Sequence, residues 1–283
     1  MTIQEQSIII DGHKITYFVA GNTDLPPLMM VHGFGSYHGV WAQTIEALQE
    51  NYHCIAIDLL GFGYSDKPYN ADYSIIAQGK RVLKLADELG WKEFSLMGHS
   101  MGGQIALCIA STLAPNRIQH LVDVSGVVAA RLSPFAENIN IRSIALARAI
   151  PQAFSLYRWL ARQRWLVLSP FTGFRSYFYR MDTIPFENWA IDREISFQPD
   201  GQVAAYEAGK AIHALDLTLS LSNITAPTLI IFGKQDNIVP ITDAYLAQQY
   251  ISKSKLVMID ECGHFPMYEK QKQYLEAVCA FLK

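Results

Sequence analysis

The chain has 283 residues, 50% of them hydrophobic, and a formal net charge of −3. That length suits one large α/β domain with a substantial core, and the near-neutral charge provides no electrostatic footprint for nucleic acid. The opening MTIQEQSIII lacks a basic region followed by an apolar stretch, and no run of about eighteen apolar residues occurs, so neither a secretory signal nor a membrane span is expected.

Short apolar, β-branched runs alternate with helical patterns along the chain. SIII and KITYFVAG flank Asp11-Gly12 and read as a β-hairpin with a two-residue turn. LMMVHGFG is a buried strand ending in a glycine-rich loop, followed by helical spacing in VWAQTIEALQE. HCIAIDLLGFG is the next strand and loop. Tyr73 to Leu89 form an amphipathic helix with Ile76, Val82, Leu83, Leu85 and Ala86 at apolar positions. EFSLMGHSMGG and QIALCIASTLA give a strand, a tight turn and a helix. IQHLVDVSG, APTLIIFG and KLVMIDECGH add three strands before a closing helix through Tyr274, Val278 and Phe281. Strands alternating with helices predict an α/β fold with a mostly parallel sheet covered on both faces.

Residues 127–220 break that rhythm: they hold no clear strand and are rich in aromatics and arginine. Pro151 interrupts a long helical stretch there and predicts a kink or boundary. The segment reads as an inserted helical cap, leaving 1–126 and 221–283 as the core domain. Cys54, Cys108, Cys262 and Cys279 lack C-x-x-C spacing and read as reduced thiols, so a cytoplasmic protein is the expectation.

The chemistry starts at Gly98-His99-Ser100-Met101-Gly102, a G-x-S-x-G pattern between a strand-like and a helix-like segment. A serine at the apex of a sharp strand-to-helix turn projects its hydroxyl clear of the sheet. Glycines two before and two after it let strand and helix approach without Cβ clashes. A hydroxyl needs a base to take its proton. His264, in the loop after the last strand, lies where loops at strand C-termini converge, and is the predicted base. His99 adjoins the serine, but neighbouring side chains diverge; His32 is assigned to supporting its own loop. Asp236, just beyond APTLIIFG, is the predicted orienting acid, since it follows the serine and precedes the histidine in chain order. Asp123, within a strand pattern, and Asp260, four residues from His264, rank below it. The backbone N–H groups of Phe34 and Met101 are the expected oxyanion donors. Ile238, Val239 and Phe265 adjoin these positions and are candidates to line an apolar substrate pocket.

His32-Gly33-Phe34-Gly35, the loop from Asp58 to Ser65, the Ser100 elbow, the Asp236 segment with Pro240, and Gly263-His264 together resemble the α/β-hydrolase superfamily. The resemblance implies an eight-stranded, mostly parallel sheet flanked by helices with the cap inserted after the sixth strand. It also implies acyl transfer with no metal or organic cofactor, and Gly-His-Ser-Met-Gly is similar to esterase and lipase elbows. Carboxylic ester hydrolysis therefore leads. Carbon–carbon bond hydrolases of ring-cleavage products share the triad but often carry Asn before the nucleophile and Trp after the base, where this chain has His99 and Phe265. A non-catalytic receptor on the same fold is the third reading. The expected partner is a small ester or acyl substrate with an apolar portion. Between Arg131 and Arg180 every basic side chain is Arg, which leaves open an anionic substrate group or contact with an anionic membrane surface. Oligomeric state is not legible.

Overall fold

The computed structural model describes residues 4–137 and 198–283, with isolated positions between them, of which 177–180 are the longest run. Most of the long helical stretch around Pro151, and the aromatics Phe154, Tyr157, Trp165, Phe171 and Phe174, lie outside the described residues.

The hairpin forms as read. Strands β1 (Gln4–Ile10) and β2 (His13–Ala20) pair antiparallel, and Asp11 and Gly12 both take positive φ, 54° and 79°. Two left-handed residues give the turn a twist that matches the strands it joins. After β3 (Pro27–Val31) and helix α1 (Ala42–Leu48) comes β4 (His53–Ile57). Helix α2 (Ile75–Glu88) starts at Ser74, whose hydroxyl accepts from the Ala77 amide at 3.2 Å. That bond satisfies one of the amides a helix start leaves orphaned. The elbow joins β5 (Phe94–His99) to α3 (Met101–Cys108), and β6 (Ile118–Val124) follows. Later come α4 (Gln202–His213), β7 (Thr228–Gly233), α5 (Thr242–Tyr250), β8 (Ser254–Ile259) and α6 (Gln271–Phe281).

The strands form one eight-stranded sheet in the order β1-β2-β4-β3-β5-β6-β7-β8. β2 pairs antiparallel with both its neighbours; every other pairing from β4 to β8 is parallel. Side chains alternate across a strand, so each central strand feeds both faces. Met29 and Val31, Ile55 and Ile57, Ile230 and Phe232 enter one apolar cluster with residues of α2, α3, α4 and α5. Leu28 and Met30, Cys54 and Ala56, Leu229 and Ile231 enter the other, against α1 and α6. Continuous apolar runs such as TLIIFG are thus explained by burial on both faces, each large side chain contributing roughly 1.5–3 kcal/mol.

Among the described residues of 127–220 there is no strand. Helix α4, within the segment read as an insertion, is anchored on the core: Ala204, Ala208 and Ile212 share the cluster of α2 and α3. The Gln104 side-chain amide donates to the Ile212 and Leu215 carbonyls at 3.0 and 2.9 Å. No helix among the described residues is long and apolar enough to cross a membrane.

Candidate active site

Parallel strands in register bring their C-terminal ends to one edge: His99 pairs with Val124, Val124 with Ile231, and Gly233 with Ile259. The candidate residues emerge there. Ser100 directly follows β5 with φ 57° and ψ −119°, a conformation that side chains other than glycine's rarely adopt. Its amide donates to the Val124 carbonyl (2.9 Å) and its carbonyl accepts from Gln104 (3.0 Å), so the turn is pinned at both ends. A Cβ on Gly98 would collide with the Gly102 carbonyl, and one on Gly102 with the carbonyl oxygens of Val31 and His32. Neither backbone wall can yield. Gly102→Ala is therefore expected to destabilise the fold by about 3 kcal/mol or more, read from the denaturant midpoint. A midpoint within the error of the parent's would refute that steric account of the elbow.

Asp236 stands three residues past β7, and its two oxygens do different work. Oδ1 accepts from the Ile238 and Val239 amides at 2.8 and 3.0 Å. Oδ2 lies 2.8 Å from His264 Nδ1. A carboxylate oxygen only accepts, so Nδ1 is the donor, and in the neutral ring Nε2 is the nitrogen that keeps its lone pair. Ser100, Asp236 and His264 are all buried, as the strength of such bonds requires. No hydrogen bond joins the Ser100 hydroxyl to His264 among the described residues; such contacts often tighten only with substrate bound.

The loop after β3 abuts the serine. A Cβ on Gly33 would lie 2.9 Å from Ser100 Cβ, so only glycine admits this approach. His32 supports that loop: Nδ1 donates to the Gly33 carbonyl (2.8 Å), and Nε2 accepts from the Leu59 amide (3.0 Å). The amides of Phe34 and Met101 have no backbone acceptor among the described residues, and Met101 opens α3, where amides are unsatisfied by the helix.

The rival acids fall elsewhere. Asp260 is exposed and bonded to Lys234 and Gln235 at 3.0 and 3.2 Å. Asp123 lies fully buried beneath the elbow beside Gly103 and Gly126, with both oxygens unpartnered by side chains. Burial, with the nearby Asp243, pushes its carboxyl up to about 8. A carboxyl whose folded-state value exceeds its unfolded one stabilises the fold while protonated, fully below about pH 4, and loses that contribution as pH rises toward 8. Asp123→Asn should raise Tm at pH 8 by several degrees and leave it nearly unchanged at pH 4. A Tm difference independent of pH would contradict this origin.

Ile238 and Val239 pack in the cluster that includes α2 and α3, while Phe265 belongs to the opposite one. Phe265 stacks on Phe178 at 5.2 Å and on Tyr268 at 5.8 Å. The sequence reading missed two contributors. His99 Nε2 donates to the His264 carbonyl at 2.9 Å, tying the elbow to the His264 loop, and burial holds its ring well below the usual histidine range, hence neutral. Glu269 accepts from the Gly263 amide at 2.8 Å, within that same loop. Its only sequence signal was a carboxylate five residues after His264.

The family model for the alpha/beta hydrolase fold matches residues 26–271. The chain belongs to the α/β-hydrolase fold family. Among its relatives, monoacylglycerol lipase ABHD6 of Mus musculus is 25% identical over 271 residues, covering 91% of this chain and 75% of that protein. The 2-hydroxymuconate semialdehyde hydrolase of Pseudomonas sp. (strain CF600) is 28% identical, covering 90% of this chain and 86% of that one. A bacterial membrane phospholipase A, described as a virulence factor, superposes with a TM-score of 0.79 at 26% identity, covering 99% of this chain and 86% of its own. Within this α/β-hydrolase, the elbow, the Asp236 loop and the His264 loop all lie inside the matched span.

Proposed function

We propose that this α/β-hydrolase cleaves carboxylic esters through an acyl-enzyme on Ser100. The observation that carries the reading is the 2.8 Å bond from His264 Nδ1 to Asp236, which commits Nδ1 to donation and leaves Nε2 of the neutral ring as the basic nitrogen, on a loop that the His99 side chain ties to the Ser100 elbow. In the proposed cycle, Ser100 Oγ attacks the ester carbonyl carbon while His264 Nε2 takes its proton. The carbonyl oxygen becomes an oxyanion held by the Phe34 and Met101 amides. Asp236 holds the imidazole tautomer and stabilises the imidazolium. Collapse breaks the ester C–O bond, and the imidazolium returns its proton to the departing alkoxide. Water, deprotonated by the same histidine, then releases the acid and restores Ser100. Relatives named as lipases and as a phospholipase support ester chemistry and an apolar acyl portion for the substrate.

A second reading, hydrolysis of a carbon–carbon bond in a ring-cleavage dienone, rests on the 28% identity to the 2-hydroxymuconate semialdehyde hydrolase. A panel of aryl esters with graded acyl chains, assayed beside one such dienone, separates the two. Ester turnover exceeding dienone turnover supports the first reading; a dienone preference of several orders of magnitude overturns it.

A further inference from the structure

The loop carrying the catalytic base is held from an unexpected direction. Glu269, buried in the short helical turn Pro266–Glu269, splits its carboxylate between two segments. Oε1 accepts from the Gly263 amide at 2.8 Å, one residue before His264. Oε2 accepts from the Tyr179 and Arg180 amides at 2.7 and 3.1 Å, some ninety positions away in the chain. The His264 amide itself donates to the Tyr177 carbonyl at 2.9 Å. The two backbones lie so close that a Cβ on Gly263 would sit 2.9 Å from both Tyr177 O and Tyr179 N. Phe178 completes the junction by stacking on Phe265, the residue after the base.

A local turn would need only one of these oxygens. A buried carboxylate is costly unless its lone pairs are filled, and here they are filled from both sides of a junction. Removing either side leaves an oxygen stranded, so the segment and the loop are ordered together. We propose that Glu269 is a positioning residue, its carboxylate clamping residues 177–180 to the His264 loop so that the imidazole is held in place only while that segment is docked. The proposal rests on the Ser100–His264–Asp236 reading and concerns how the base is kept in register.

The test compares the parent with Glu269→Gln, whose single carbonyl oxygen cannot serve both sides. Three measurements are made: amide hydrogen exchange, steady-state hydrolysis of p-nitrophenyl acetate, and the rate of fluorophosphonate labelling. The amides of Gly263, Tyr179 and Arg180 should exchange at least about 10-fold faster, with central-strand amides unchanged. kcat and the labelling rate should fall roughly 10- to 100-fold with KM within about 3-fold, as expected for a displaced base. A purely structural role would lower Tm without moving kcat in the folded protein. Faster exchange with kcat and labelling unchanged overturns the proposal, as does unchanged exchange. Should Glu269→Gln fail to fold, Glu269→Asp, which keeps the charge but is too short to span the junction, is judged by the same criteria. A parent protein that takes no label at Ser100 overturns the catalytic reading instead, while the exchange data still decide whether the clamp exists.

Discussion

Ser100→Ala is expected to lower ester turnover by about 10⁴-fold or more while leaving the fold intact. The substitution removes one oxygen atom, and with it the attacking electron pair and the covalent intermediate. Asp236, His264 and the amides of Phe34 and Met101 would remain to bind substrate and polarise its carbonyl, so a residual rate above that of water should persist. Stability should change little. Alanine must adopt the same backbone conformation as the serine, φ 57°, and meets the same strain; only glycine would be relieved of it. The measurements are kcat on an aryl ester, a fluorophosphonate labelling assay and a Tm. A folded variant with near-native hydrolysis would end the assignment of Ser100 as nucleophile.

Asp236→Asn should cost roughly 10⁴-fold in kcat with little change in KM, because it sets the wrong imidazole tautomer. The carboxamide has two orientations. With its oxygen toward the Ile238 and Val239 amides, as Oδ1 now lies, its NH₂ faces His264 Nδ1. Two donors cannot share that contact, so the ring proton moves to Nε2, which can no longer accept from Ser100. In the flipped orientation the tautomer survives, but the NH₂ confronts two backbone donors and the loop after β7 loses both bonds. Alanine would confound the two effects by emptying the site, which is why the amide is the informative replacement. A drop in kcat below about 10-fold would show that the histidine is oriented by something else.

Legibility differed from residue to residue for physical reasons. The elbow could be read because part of its requirement is local: a Cβ on Gly98 would meet the Gly102 backbone within the same strand, turn and helix, whereas Gly102 is demanded by the distant carbonyl oxygens of Val31 and His32 at the end of β3. The alternation of strand and helix was legible because burial on both faces leaves continuous apolar runs. His264 could be ranked above seven other histidines as the candidate base by its position after the last strand. Asp236 was preferred by chain order, yet Asp123 and Asp260 are also carboxylates near strand ends. Only packing separates them: one is sealed beneath the elbow, one is exposed among Lys234 and Gln235, and one meets the imidazole.

Glu269 and His99 were invisible for a different reason. Their partners are backbone amides and carbonyls, groups that every residue type carries, and in three cases they lie 89 to 165 positions away. A side chain's spacing encodes which face of an element it occupies; it does not encode which distant main chain that face will meet. From its amino acids alone, this protein's layered α/β architecture and a candidate nucleophile, base and acid in workable order could be read, since period and local sterics are short-range properties. Which carboxylate touches the imidazole, which ring nitrogen donates to it and what holds the His264 loop were decided only when the chain closed, because hydrogen-bond geometry exists between surfaces and not along the sequence.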